Sequence, residues 1–131
     1  MKAITQDWLK HAETDLYACK KMIDDRFLTN IVLFHVQQTV EKCFKAIIEE
    51  HSIKIQKTHS LIRLHKEIKD LVDFEIDREL MLLTDEVYIE TRYPGESGML
   101  PDGKALPGQT KELYDFANYI FQETKRLLSK N

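Results

Sequence analysis

The sequence predicts an all-α fold: an up-and-down four-helix bundle with an additional helix, about five helices in total, and a long Pro/Gly loop before the last. Three observations carry this expectation. All three prolines and all four glycines fall between Pro94 and Gly108, so no other part of the chain holds a strong helix breaker. Elsewhere apolar residues recur every three or four positions, the spacing that keeps side chains on one face of a helix. The links between the first four apolar stripes are short, which favours antiparallel neighbours.

The first helix, about residues 5 to 25, carries Trp8, Ala12, Leu16, Cys19 and Ile23 on one face. His11 and Asp15 stand four residues apart on it, a spacing that allows a stabilising pair. Asn30 is a candidate cap for the second helix, about 31 to 51. Its stripe of Val32, Leu33, Val36, Val40, Cys43, Phe44 and Ile47 spans nearly half the circumference, which places it at the centre of the bundle. Thr58 or Ser60 can cap a third helix bearing Leu61, Leu64, Ile68 and Leu71, and a fourth carries Ile76, Leu80, Leu83 and Val87. Arg92-Tyr93-Pro94 ends the fourth, because the residue before a proline is pushed out of the helical region. Residues 92 to 109 then form a loop longer than the ~12 to 15 residues usually left without structure in a compact domain. In the fifth helix Leu113, Ala117, Ile120, Thr124 and Leu127 share a face, and Lys125, Arg126 and Lys130 suit its C-terminal end.

With 131 residues the chain fits one domain, 1 to 131, able to bury a core without a disulfide or a structural metal. A hydrophobic fraction of 43% is too high for a disordered chain. The net charge of -3 argues against a broad nucleic-acid surface, which needs clustered Lys and Arg to displace phosphate counterions. No apolar run approaches the ~20 residues of a membrane span, and the N-terminus lacks the apolar stretch of a signal peptide, so a cytoplasmic location with no membrane partner is expected. Cys19 and Cys43 both sit among apolar residues at helical spacing, as buried free thiols do.

Along the second helix, at about 100° per residue, Phe34, Gln38, Glu41 and Lys45 fall together, away from the apolar stripe. One reading is a solvated face with a Glu41 to Lys45 pair. The other is an interface through Phe34, Gln38 and Glu41, since an aromatic ringed by hydrogen-bonding groups suits a partner surface. His35 also projects opposite the stripe, where it could meet a partner or a ligand.

The run Phe34-His35-x-Gln37-Gln38-x-x-Glu41-Lys42-x-x-Lys45-Ala46 resembles the HEPN domain family. Trp8 and Ala12 through Asp15-Leu16 upstream, Thr58-His59-Ser60-Leu61 between, and Tyr88-x-x-x-Arg92-Tyr93-Pro94 downstream extend the likeness over about residues 5 to 128. The resemblance implies a helical bundle similar to the C-terminal domain of kanamycin nucleotidyltransferase. It further implies a homodimer, a nucleotide ligand, pairing with a separately encoded minimal nucleotidyltransferase, a setting such as a toxin-antitoxin pair and, in many members, metal-independent RNA cleavage. Its carry-over choices for an anionic ligand are Lys42, Lys45 and Arg92, with Tyr93 placed to stack a base. Beyond that nucleotide no cofactor is expected.

Cleaving members use an Arg-x4-6-His pair, which sets a cation and a proton-transfer group at the scissile phosphate. The chain has none: Ser97, Gly98 and Met99 follow Arg92 at those positions, and Ile31, Val32 and Leu33 follow Arg26. No catalytic residue is assigned, and an atypical ribonuclease site around Arg92 and a structural dimer without ligand remain the alternatives. Gly98 to Lys104 has the spacing of a phosphate-binding P-loop, but it contains Pro101, follows no strand and ends in Ala105 where Ser or Thr would meet magnesium. His59 and His65 lack metal-ligand spacing, and no metal site is assigned.

Overall fold

The computed structural model describes residues 1–92 and 105–130. Among them lie five α-helices and no strand: α1 (Ala3–Met22), α2 (Thr29–Glu50), α3 (Leu61–Ile68), α4 (Arg78–Arg92) and α5 (Pro107–Leu128), with a 3-10 turn at Arg26–Leu28. None of the helices is long and apolar enough to cross a membrane.

Helix α2 runs through the middle. Thirteen of its 22 residues are buried, and its apolar side meets Leu9, Ala12, Leu16 and Cys19 of α1 and Leu113, Ala117, Ile120 and Phe121 of α5. The central position follows from the width of its apolar stripe, which no single neighbour can cover. Helix α1 lies antiparallel to it, with the start of the chain tied to the far end of α2. There the Lys2 ammonium reaches the Glu49 carbonyl at 2.9 Å and the Ser52 hydroxyl, and Thr5 donates to Glu50 at 2.9 Å. Cys19 and Cys43 are buried free thiols, and burial pushes both up to about 12, which keeps them protonated.

Helix ends hold most of the differences from the sequence reading. Helix α1 stops at Met22, three residues before the expected boundary, and Asp25 then caps the 3-10 turn by accepting the Phe27 N–H at 2.9 Å. That turn feeds directly into α2 at Thr29, so Asn30 lies within the helix and is not its cap. Its side chain instead accepts the Ala105 N–H at 2.9 Å, joining the start of α2 to the approach to α5.

Helix α3 is capped by Ser60, which accepts the Arg63 N–H at 3.3 Å, while Thr58 accepts the Ser60 N–H at 3.1 Å. Leu71 and Ile76 fall outside α3 and α4 but still pack on the core. Asp77 starts α4 by accepting the Leu80 N–H at 3.0 Å. Helix α5 begins at Pro107, inside the expected loop, because the first helical position needs no N–H and suits the fixed φ of proline. Tyr93 and the Pro94 to Lys104 stretch, with the P-loop-like spacing, lie outside the described residues.

At its C-terminal end α2 closes with a backbone lock. Ser52 adopts a left-handed φ of 57°, and the N–H groups of Ser52 and Ile53 return to the carbonyls of Glu49 and Ile48 at 3.1 Å each. Glycine usually fills such a position.

Candidate functional site

The face of α2 opposite its apolar stripe turns toward α1, toward the start of α3 and toward α4 rather than to solvent. Two carboxylates are buried there, and each holds one histidine and one lysine. Asp15 of α1 accepts from His35 Nδ1 at 2.8 Å and from Lys42 Nζ at 2.6 Å. Glu41 of α2, only 3% exposed, accepts from His59 Nδ1 at 2.9 Å, from Lys45 Nζ at 2.9 Å and from Gln37 Nε2 at 3.1 Å. Gln37 also donates to the His59 carbonyl at 2.7 Å, which fixes the backbone just before α3.

Burial alone would raise the Glu41 carboxyl. The hydrogen bonds from Lys45 and His59, the Lys45 charge and the Gln37 amide outweigh it, and the group lies below the usual glutamate range. A carboxylate only accepts, so Nδ1 of each histidine is the donor toward it. Both His35 and His59 are oriented in this way.

Aromatic rings connect the two clusters. His35 meets Phe34 edge to face at 5.2 Å, Phe34 stacks on Tyr88 at 5.7 Å, and His59 lies against the other ring of that stack, Tyr88, at 6.0 Å. Arg92, one turn beyond Tyr88 on α4, donates to the Tyr88 hydroxyl at 2.8 Å and sits 5.4 Å from its ring centre. A cavity of about 300 Å³ opens beside these groups, lined by His59, Ser60, Asp85, Tyr88, Ile89 and Arg92. It therefore joins a guanidinium, an oriented imidazole and an aromatic surface, a set that suits a phosphate and a base.

The cavity also contains a negative group. Asp85 accepts the N–H groups of Leu61 at 2.8 Å and Ile62 at 3.2 Å and the Ser60 hydroxyl at 3.5 Å, and so holds the first turn of α3 against α4. Burial pushes its carboxyl above the usual aspartate range, against the opposing effect of these donors, with the Glu41 charge adding to the rise.

Of the residues picked out in the sequence, Arg92 lines the cavity and Phe34 stands behind it on Tyr88. Lys42 and Lys45 are not brought beside Arg92. Each is bound to a buried carboxylate, and Lys45 also lies 5.5 Å from the Trp8 ring centre, so their charges are compensated within the chain. Gln38 donates to Gln37 at 2.8 Å, and Glu41 is buried rather than presented outward, because α3 and α4 cover the face that helical periodicity left open. Tyr93 lies outside the described residues. Asp15 pairs with His35 and Lys42 across the α1/α2 contact, not with His11 on its own helix.

Sequence reasoning missed His59 and Asp85 as cavity residues. His59 and Arg92 meet through the packing of α3 on α4 and through no local spacing. Asp85 carried a faint signal as an acidic residue on the cavity side of α4, three residues before Tyr88 and seven before Arg92. Among the described residues no three His, Cys, Asp or Glu side chains converge as metal ligands.

The sequence model of the HEPN domain family matches residues 5–127. The chain belongs to the HEPN domain family. Two solved structures share this HEPN fold at sequence identities that speak to fold alone. TT1696 from Thermus thermophilus is 23% identical with a TM-score of 0.81, over 96% of this chain and 99% of that one. ST0689, described as an archaeal HEPN homologue, is 24% identical with a TM-score of 0.72, over 96% of this chain and 98% of that one. No curated protein matches the sequence.

Proposed function

We propose that this HEPN chain binds a nucleotide in the cavity between α3 and α4, without itself catalysing a reaction. The single observation that supports the reading is the grouping of His59 and Arg92 around the Tyr88 ring at the 300 Å³ cavity. Arg92 meets the phosphate, the Tyr88 and Ile89 side chains meet the base or sugar, and His59 Nε2 accepts a ligand hydrogen bond. Glu41, braced by Lys45, holds His59, and Asp15, braced by Lys42, holds His35, so in this reading the lysines serve the carboxylates and do not touch the ligand. The same reading has the chain acting as a homodimer, with a minimal nucleotidyltransferase as its partner protein, in a setting such as a toxin-antitoxin pair inside the cytoplasm. Leu82 and Ile89, seven residues apart on α4 and both exposed, supply apolar surface for the contact between copies.

Native mass spectrometry of the purified protein with ATP, GTP, CTP, UTP and their monophosphates tests both halves. The expected result is a dimer carrying nucleotide, with the ligand lost in Arg92→Ala and the dimer kept. A monomer that captures no nucleotide overturns the reading.

A second reading, metal-independent RNA cleavage, is favoured by the oriented His59 imidazole in the same cavity as Arg92: a proton-transfer group and a cation at one phosphate. Incubating the same preparation with RNA separates the two. Cleavage that disappears in both His59→Ala and Arg92→Ala variants, each still folded, replaces the binding reading with the catalytic one.

A further inference from the structure

The hydrogen bonding of Asp85 bears on which base the cavity can hold, an inference that rests on the nucleotide-binding reading above. Asp85 is half-buried between α3 and α4, and its carboxylate fastens the first turn of α3. One oxygen accepts the Leu61 N–H at 2.8 Å and the other the Ile62 N–H at 3.2 Å. The Ser60 hydroxyl reaches the second oxygen only at 3.5 Å, the outer limit of a hydrogen bond. All three donors are neutral, and among the described residues no lysine or arginine pairs with this carboxylate.

A carboxylate has about four acceptor positions on its two oxygens. Two backbone amides fill two of them, and the Ser60 hydroxyl holds a third loosely. Burial raises this carboxyl above the usual aspartate range, as expected of a charge with few donors around it. Two N–H groups side by side, one aimed at each oxygen, meet that need.

The Watson–Crick edges of the bases differ in just this respect. Guanine carries N1–H and the N2 amino group next to each other, both donors. Adenine sets its N6 amino group beside the lone pair of N1, cytosine sets its N4 amino group beside the lone pair of N3, and uracil flanks one N–H with two carbonyls. Against a group that only accepts, guanine alone presents adjacent donors, and each of the others turns at least one lone pair toward it. The cavity, about 300 Å³ and lined by Tyr88 and Ile89 as well as Asp85, is at the small end of ligand sites and suits a single base. We propose that Asp85 makes the cavity select guanine, with N1–H donating to one carboxylate oxygen and the N2 amino group to the other. Asp85 is then the residue that sets specificity, and the base rather than the phosphate carries the choice.

The test is isothermal titration of the intact protein with GMP, IMP, AMP, CMP and UMP at about pH 8, well above the carboxylate range. All five carry the same phosphate, so the differences among them report the base. GMP is expected to bind about tenfold or more tightly than AMP, CMP and UMP, the scale of one bidentate base contact. IMP keeps N1–H and lacks the amino group, and is expected to fall between GMP and AMP. Asp85→Asn exchanges a pair of acceptors for one acceptor and one donor, the pattern that fits N6 and N1 of adenine, and is expected to bring AMP up to GMP or past it.

Binding of AMP, CMP or UMP as tight as that of GMP by the unaltered protein overturns the proposal and leaves the nucleotide site standing, whether or not the Asp85→Asn variant folds. IMP equal to GMP overturns the two-point contact, and so does a folded Asp85→Asn variant that keeps the full preference for GMP. Failure of all five probes to bind is a separate result: it removes the nucleotide site, and the selectivity with it.

Discussion

Glu41 shows how a surface assignment fails at the level of a single residue. Its place on the helical wheel is polar, and periodicity along α2 gives no information about what covers that side. The structure covers it with the approach to α3, and Glu41 becomes the common acceptor of Gln37, Lys45 and His59. Glu41→Ala should lower the unfolding free energy by about 2 to 3 kcal/mol, because it leaves three donors without their acceptor. Urea denaturation followed by circular dichroism reads this directly, and a loss under about 0.5 kcal/mol would rank the cluster with ordinary surface pairs. The sequence did not place His59 and Asp85 at the cavity, for the same reason. Their partners are 18 or more residues away, so only the fold brings them together. Arg92 was singled out by the likeness to the HEPN family and by Tyr93-Pro94, which marks the end of its helix.

Among elements, all five helices could be read from the apolar spacing, but several of their ends could not. Ser60 was recognisable as a cap since its side chain acts within its own turn. Asn30 was not, because its bond to Ala105 crosses 75 residues of sequence. The end of α2 carries a testable strain. Ser52 holds φ at 57°, a conformation that costs a residue with a Cβ roughly 1 to 2 kcal/mol and costs glycine little. Ser52 is exposed, and its hydroxyl contributes only a contact with Lys2. Ser52→Gly is therefore expected to raise stability by about 0.5 to 1 kcal/mol despite the added freedom of the unfolded chain. A lower melting temperature for that variant would mean that the Lys2 contact outweighs the backbone strain.

Taken as one molecule, the protein should lose stability in acid in two stages. Burial, with the Arg78 and Lys69 charges adding to it, holds His65 below its ordinary value of 6.5, so the folded state resists protonation there. The folded pKa is depressed, so this stability is fully present above 6.5 and is lost as pH falls through the folded value. Glu41 follows the same sign from its ordinary 4.5: its contribution holds above that pH and disappears below it. Melting temperatures recorded from about pH 8 to about pH 2 should fall at first gently and then steeply, and His65→Gln should flatten the first stage. An unaltered first stage in that variant would assign it to another group. The location of the cavity relative to the bundle has a further consequence. His59, 60% exposed at its side chain, and the exposed Ile89 and Arg92 stand outside the interior that α2 organises. Exchanges at Ile89 and Arg92 leave the buried body less disturbed than exchanges along α2, while an exchange at His59 also removes a partner of the buried Glu41. A lineage built on this scaffold can therefore change what it recognises in a few small steps, each tolerated by a body that stays the same.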